Sequence, residues 1–120
     1  MTGLEFLMSA RAFAGEPAAG PVATLTLGRR IVNREAVDGE RPFAAGEQVY
    51  AHTTIGGHGA GFVEHVWTRD GQEIARHYMP VGDDACWRTW SRHRVEPGRT
   101  TVEVFAPDGR RLACLTFTVS

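Results

Sequence analysis

From Val22 onward the chain is organised by alternation of apolar and polar positions, and no stretch there sustains a 3.6-residue repeat. Val22, Thr24 and Thr26 alternate with Ala23, Leu25 and Leu27, which predicts a first strand reaching Asn33 with a bend at Gly28. A loop holding Asp38-Gly39 and Pro42 leads to a second strand over Glu47–Thr54. The strongest signal lies between Phe62 and Met79. Two alternating runs there flank Asp70-Gly71, a residue pair suited to a two-residue hairpin turn. Pro80 is expected to end the second arm. A fifth strand follows over Cys86–Arg92, and a last hairpin joins Thr100–Phe105 to Arg111–Val119 through Pro107-Asp108-Gly109.

About seven short strands with turn residues between them predict an all-β fold, an immunoglobulin-like antiparallel β-sandwich, with a small β-barrel as the alternative. Trp67, in the third strand, stands where such a sandwich buries a tryptophan between its sheets. Residues 1–21 show weak periodicity and then two prolines, and read as a flexible arm or short helix before a single domain over 22–120. If Arg69 faces Gln72 and pairing continues unbroken, Trp67 faces Ile74 and His65 faces Arg76. One face of the hairpin then carries Val63, His65, Trp67, Ile74, Arg76 and Tyr78. The other carries Phe62, Glu64, Val66, Ala75, His77 and Met79.

Composition narrows the function classes. A chain of 120 residues, 42% hydrophobic and 22% charged, can bury a core without a disulfide or metal. The net charge of −1 removes any electrostatic case for a nucleic-acid or anionic-membrane partner. Locally, Trp87–Arg111 is rich in arginine, which reads as a solvated strand face rather than a phosphate track. Cys86 and Cys114 match no zinc spacing and read as two small half-buried thiols, with one bridge as the alternative in an oxidising compartment. No apolar run approaches the roughly 20 residues of a membrane helix, and the start of the chain is a poor signal peptide. The glycine-rich Gly56–Gly61 connection lacks the Gly-Lys-Ser/Thr ending of a phosphate loop.

Several short elements occur in a fixed order: Asn33-Arg34-Glu35, Gln48-Val49-Tyr50, His65-Val66-Trp67, Asp70-Gly71, and Trp87-Arg88-Thr89-Trp90-Ser91. Val102-Glu103-Val104, Asp108-Gly109-Arg110 and Phe117 close the series. Together they resemble the bacterial domain of unknown function 2914 family, over roughly Leu25 to Val119. Ala36 departs from the family's tendency to proline after the Asn-Arg-Glu element. The resemblance implies a domain type and no activity. It also implies an N-terminal membrane segment in many members, so the expected compartment is the cytoplasm for the chain as given, or the periplasm or exterior where an anchor precedes it.

The side chains that would carry chemistry cluster in the same strands. His65, Trp67, Arg76, Trp87, Arg88 and Trp90 form an expected ligand-binding surface, since indole faces stack on planar ligands and sugars while guanidinium groups take carboxylates. The structural alternative is an arginine–tryptophan ladder covering the core, with His65 bonded to a backbone carbonyl or Ser91. As an enzyme, the chain would use His65 as general base. Glu64 and His77, expected opposite each other, are weak metal candidates without a fixed ligand spacing. The expected function is therefore a non-enzymatic binding or interaction module without a cofactor. Its partner is a protein or a small anionic or sugar ligand, with a small-ligand enzyme and a domain dimerising by sheet edges as the rivals.

Overall fold

A computed structural model describes residues 21–120, and the expected N-terminal arm lies almost wholly outside them. Nine antiparallel strands and no helix occur among the described residues: β1 Val22–Gly28, β2 Arg30–Val32, β3 Glu35–Val37, β4 Gln48–Gly56, β5 Gly61–Arg69, β6 Gln72–Val81, β7 Cys86–Arg94, β8 Gly98–Phe105 and β9 Arg111–Val119. One sheet has the order β1-β4-β7 and the other β6-β5-β8-β9, with β2-β3 as a separate ribbon. Setting that ribbon aside, the seven long strands fall into the orders 1-2-5 and 4-3-6-7. That is an immunoglobulin-like sandwich with its fourth strand moved beside the third, and neither sheet closes into a barrel.

The predicted first strand is in fact two, β1 and β2, and a further strand, β3, follows where a loop is expected. Asn33 and Arg34 both have positive φ, at 52° and 64°, so they make a tight two-residue turn and fold β3 back on β2. Alternation alone could not show this, because neither residue is glycine. Arg29, just after β1, fastens the following loop. Its guanidinium donates to Asp38 O at 2.8 Å and Pro42 O at 2.6 Å, pairs with Glu47 at 2.9 Å, and lies 4.4 Å over the Phe43 ring. That pairing holds the Glu47 carboxyl down at about 2, helped by the Ala44 N–H. Pro80 does not end β6. It pairs with Phe62 on an edge strand, where its missing N–H costs no ladder bond on the free side.

Asp70 and Gly71, with φ of 50° and 87°, form the predicted hairpin turn, and Arg69 faces Gln72 as expected. Two residues further on the pairing slips. Thr68 faces Glu73, but Trp67 faces Ala75, leaving Ile74 as an extra residue in a bulge. From there the expected faces of β6 exchange. His65 faces His77 rather than Arg76, and Glu64 faces Tyr78 rather than His77. Val63, His65 and Trp67 now share the inner face with Ala75, His77 and Met79, which puts Met79 and Val81 into the core. A strict two-residue turn would have buried Arg76 instead, at the cost of an unpaired charge in apolar surroundings.

The core has two parts. Around Trp67 pack Phe43, Val49, Ala51, Val95, Val102 and Val119, while Ile55, Val63, Met79, Val81 and Val104 form the second cluster. Trp67 is fully buried, as its place in the third strand predicts.

Candidate functional site

Between the two core clusters the sandwich interior turns polar. His65 is fully buried and held at both ring nitrogens, with Nε2 2.6 Å from Thr53 Oγ1 and Nδ1 2.7 Å from Ser91 Oγ. The indole N–H of Trp67 donates to the same Ser91 oxygen at 2.9 Å. Three strands, β4, β5 and β7, are thus joined through the His65 ring. Burial depresses the His65 pKa to about 3, with the imidazoles of His77 and His52 adding to the effect. His93, 5.6 Å from the Trp67 ring, is likewise pushed down by burial and by His77.

This arrangement locks rings rather than moving protons. The Ser91 oxygen already accepts an indole N–H, and the imidazole beside it is backed by Thr53, not by a carboxylate. A ring with so low a pKa is a poor base at neutral pH, since a general base works best with a pKa near the operating pH. The expected His65–Ser91 pairing is present as a buried hydrogen bond.

The other expected site residues do not share a surface. Trp87 points inward, packed against the second core cluster, and its ring lies so close to Gly82 that a Cβ there would clash. Arg88 faces the other way and pairs with Glu35 of the β2-β3 ribbon at 2.9 Å. Trp90 is on that same outer face, 36% exposed and stacked at 5.9 Å on His52, whose Nε2 lies 2.6 Å from the Arg34 carbonyl oxygen. Arg76 sits on the outer face of the other sheet, paired with Glu64 and Glu73. Glu64 is therefore bound to an arginine and separated by the bulge from His77. Among the described residues no three His, Cys, Asp or Glu side chains are grouped to hold a metal ion. Cys86 and Cys114 are free and exposed rather than half-buried.

One opening does gather several of these groups. β6 and β7 are edge strands of different sheets, and the seam between them is a cleft of about 720 Å³. β6 contributes Arg76, His77 and Tyr78; β7 contributes Trp90 and Arg92; Tyr50 of β4 lies beside Arg92 in the register. Arg76 and Trp90 of the expected ligand surface reach it, as does the metal candidate His77, and His65 does not. Tyr78 is 64% exposed, and the Nε2 of His77 is buried without a hydrogen-bond partner among the described residues. Arg92 is exposed and has no ion-pair partner among the described residues. The signal for Arg92 is in the sequence. Arg88, Trp90 and Arg92 are two apart and must share a strand face. What the sequence could not show was that β6 would lie alongside.

Residues 62–119 match the family model described as Protein of unknown function (DUF2914), a segment running from the start of β5 to the end of β9. It contains the buried His65 and Trp67, the Asp70-Gly71 turn and the Trp87–Ser91 run, whereas the Asn33-Arg34-Glu35 and Gln48-Val49-Tyr50 elements precede it. No curated protein matches the chain. Strands β5 to β9 are thus similar to the DUF2914 family model, whose description states no activity.

Proposed function

We propose that this domain is a non-enzymatic binding module whose ligand sits in the cleft between β6 and β7. The observation that carries the reading is Arg92. It is an exposed guanidinium, free of any carboxylate among the described residues, in a cleft also lined by Trp90, Tyr50 and Tyr78. Aromatic faces supply apolar contact area with little entropy to lose, and a free guanidinium takes a carboxylate in a two-pronged geometry. Arg76, already held by two glutamates, serves as wall rather than as anion receptor. The ligand is therefore anionic, carrying a carboxylate beside an apolar or planar part. Support for binding rather than catalysis comes from His65 and Ser91, a base and hydroxyl pair that is buried and already bonded to Thr53 and Trp67.

The test is a titration of carboxylate-bearing ligands followed by Trp90 fluorescence and by thermal shift, since a ligand that binds only the folded state raises the melting temperature. Arg92→Ala should abolish the response. Arg88→Ala, which removes an arginine of the same strand face outside the cleft, should leave it intact. Equal loss from both substitutions would move the site off the cleft.

A further inference from the structure

We propose that the occupant of this cleft is an extended acidic segment of another protein, added as a strand to the free edge of β7; this rests on the binding reading above and specifies its ligand. The first argument concerns edges. Each sheet ends in two strands with unpaired backbone groups, and proteins normally guard such edges with bulges, prolines or covering chain. The four-stranded sheet is guarded at both ends. β6 carries the Ile74 bulge and Pro80, and β9 carries a second irregularity at Leu112, where pairing to β8 slips between Val104 and Phe105. The β1 edge is short, and just past its end the Arg29 N–H donates to Val37 O of β3. β7 differs from all three. It is nine residues long, has no proline, and pairs with β4 without a break from Gln48–Arg94 to Gly56–Cys86. Its other side faces the cleft.

The second argument is charge. Along β7 the outward positions are Arg88, Trp90, Arg92 and Arg94, and the strand holds no acid. Arg88 is occupied by Glu35, and Arg94 spends one N–H on Gly46 O. Arg92 and the rest of Arg94 are available to a new strand, whose alternate side chains would stand about 5 Å away. The complementary strand places acids opposite Arg92 and Arg94 and an aromatic residue opposite Trp90. Its intervening side chains face the seam interior, where Ser91, His93 and Met79 favour β-branched residues. A backbone group of the incoming strand would also lie within reach of the cleft that holds the unpartnered His77 Nε2.

The probe is a capped peptide, Val-Glu-Val-Glu-Val-Tyr-Val, titrated into the domain while amide resonances and amide hydrogen exchange are followed. The expected result is saturable shifts along β7, with β7 amides exchanging at least about tenfold more slowly and the β1 and β9 edges unchanged. Arg92→Glu should weaken binding about tenfold or more, and replacing only the central peptide glutamate, the one opposite position 92, by lysine should restore it to that variant alone. Because Arg92 is exposed and pairs with nothing described, the variant should keep the native spectrum. Two further ligands separate this proposal from the reading beneath it. The same peptide N-methylated at alternate residues keeps its charges but cannot pair as a strand. Binding equal to that of the parent would overturn the strand proposal and leave an anion cleft. Oligogalacturonate shifting the cleft residues where the peptide does not would likewise overturn it in favour of a glycan. If neither peptide nor glycan moves any cleft resonance, both the proposal and the binding reading fall.

Discussion

Ser91→Ala is the sharpest test of how the interior is held together. The hydroxyl is the common partner of Trp67 Nε1 and His65 Nδ1, and all three residues are buried. Alanine fits the same space, so the change removes hydrogen bonds and creates almost no cavity. Two polar nitrogens lose their partner in a low-dielectric interior, and each such loss costs about 1–3 kcal/mol. The two share one oxygen and are not independent, so the combined cost is about 3 kcal/mol rather than the full sum. With a urea m-value of about 1–2 kcal/mol/M for a domain of this size, the unfolding midpoint should fall by about 2 M. Trp67→Phe supplies the control. It removes the indole N–H, so in that background Ser91→Ala should cost at least about 1 kcal/mol less. A Ser91→Ala midpoint within experimental scatter of the parent would refute the shared-hydroxyl account. Strict additivity with Trp67→Phe would refute the pairing with the indole.

Trp67→Ala should cost about 3–5 kcal/mol, the range for deleting a buried aromatic ring, and chemical denaturation would show a midpoint near the parent's if the ring contributed little to the core. Because the His65 pKa is depressed in the folded state, the unfolded chain binds the extra proton below pH 6.5; stability is full above that value and declines as pH falls from 6.5 toward 3. The slope approaches about 1.4 kcal/mol per pH unit, with depressed His93 adding in the same sense, and a denaturation series should flatten in His65→Gln. Arg34 holds positive φ without being glycine, and the hydrogen bond at His52 uses only its carbonyl. Arg34→Gly should therefore keep the turn and stabilise by up to about 1 kcal/mol, read as a raised melting temperature, whereas a lowered one would mean that the arginine side chain supports the ribbon.

Much of the fold is a local property of the chain. Alternation set strand positions from β4 onward to within a few residues, and Asp70-Gly71 set the central hairpin, because side-chain period and positive φ are decided by neighbouring residues. Burial of Trp67 followed from its place in the third strand. The bulge at Ile74 is different in kind. No local signal marks it, and it arises because slipping the register by one puts Met79 and Val81 inside and leaves Arg76 outside with its glutamates. That single slip undid the expected His65–Arg76 and Glu64–His77 neighbours, while alternation along β7 put Trp87 inward and Arg88 and Trp90 on the outer face of the other sheet. The sequence by itself thus determined the strands from β4 onward and which of their residues alternate. The tertiary structure decided which alternate set faces inward, and brought the edges of β6 and β7 together into a cleft, because burial is a contest between whole faces of sheets rather than between residues along the chain.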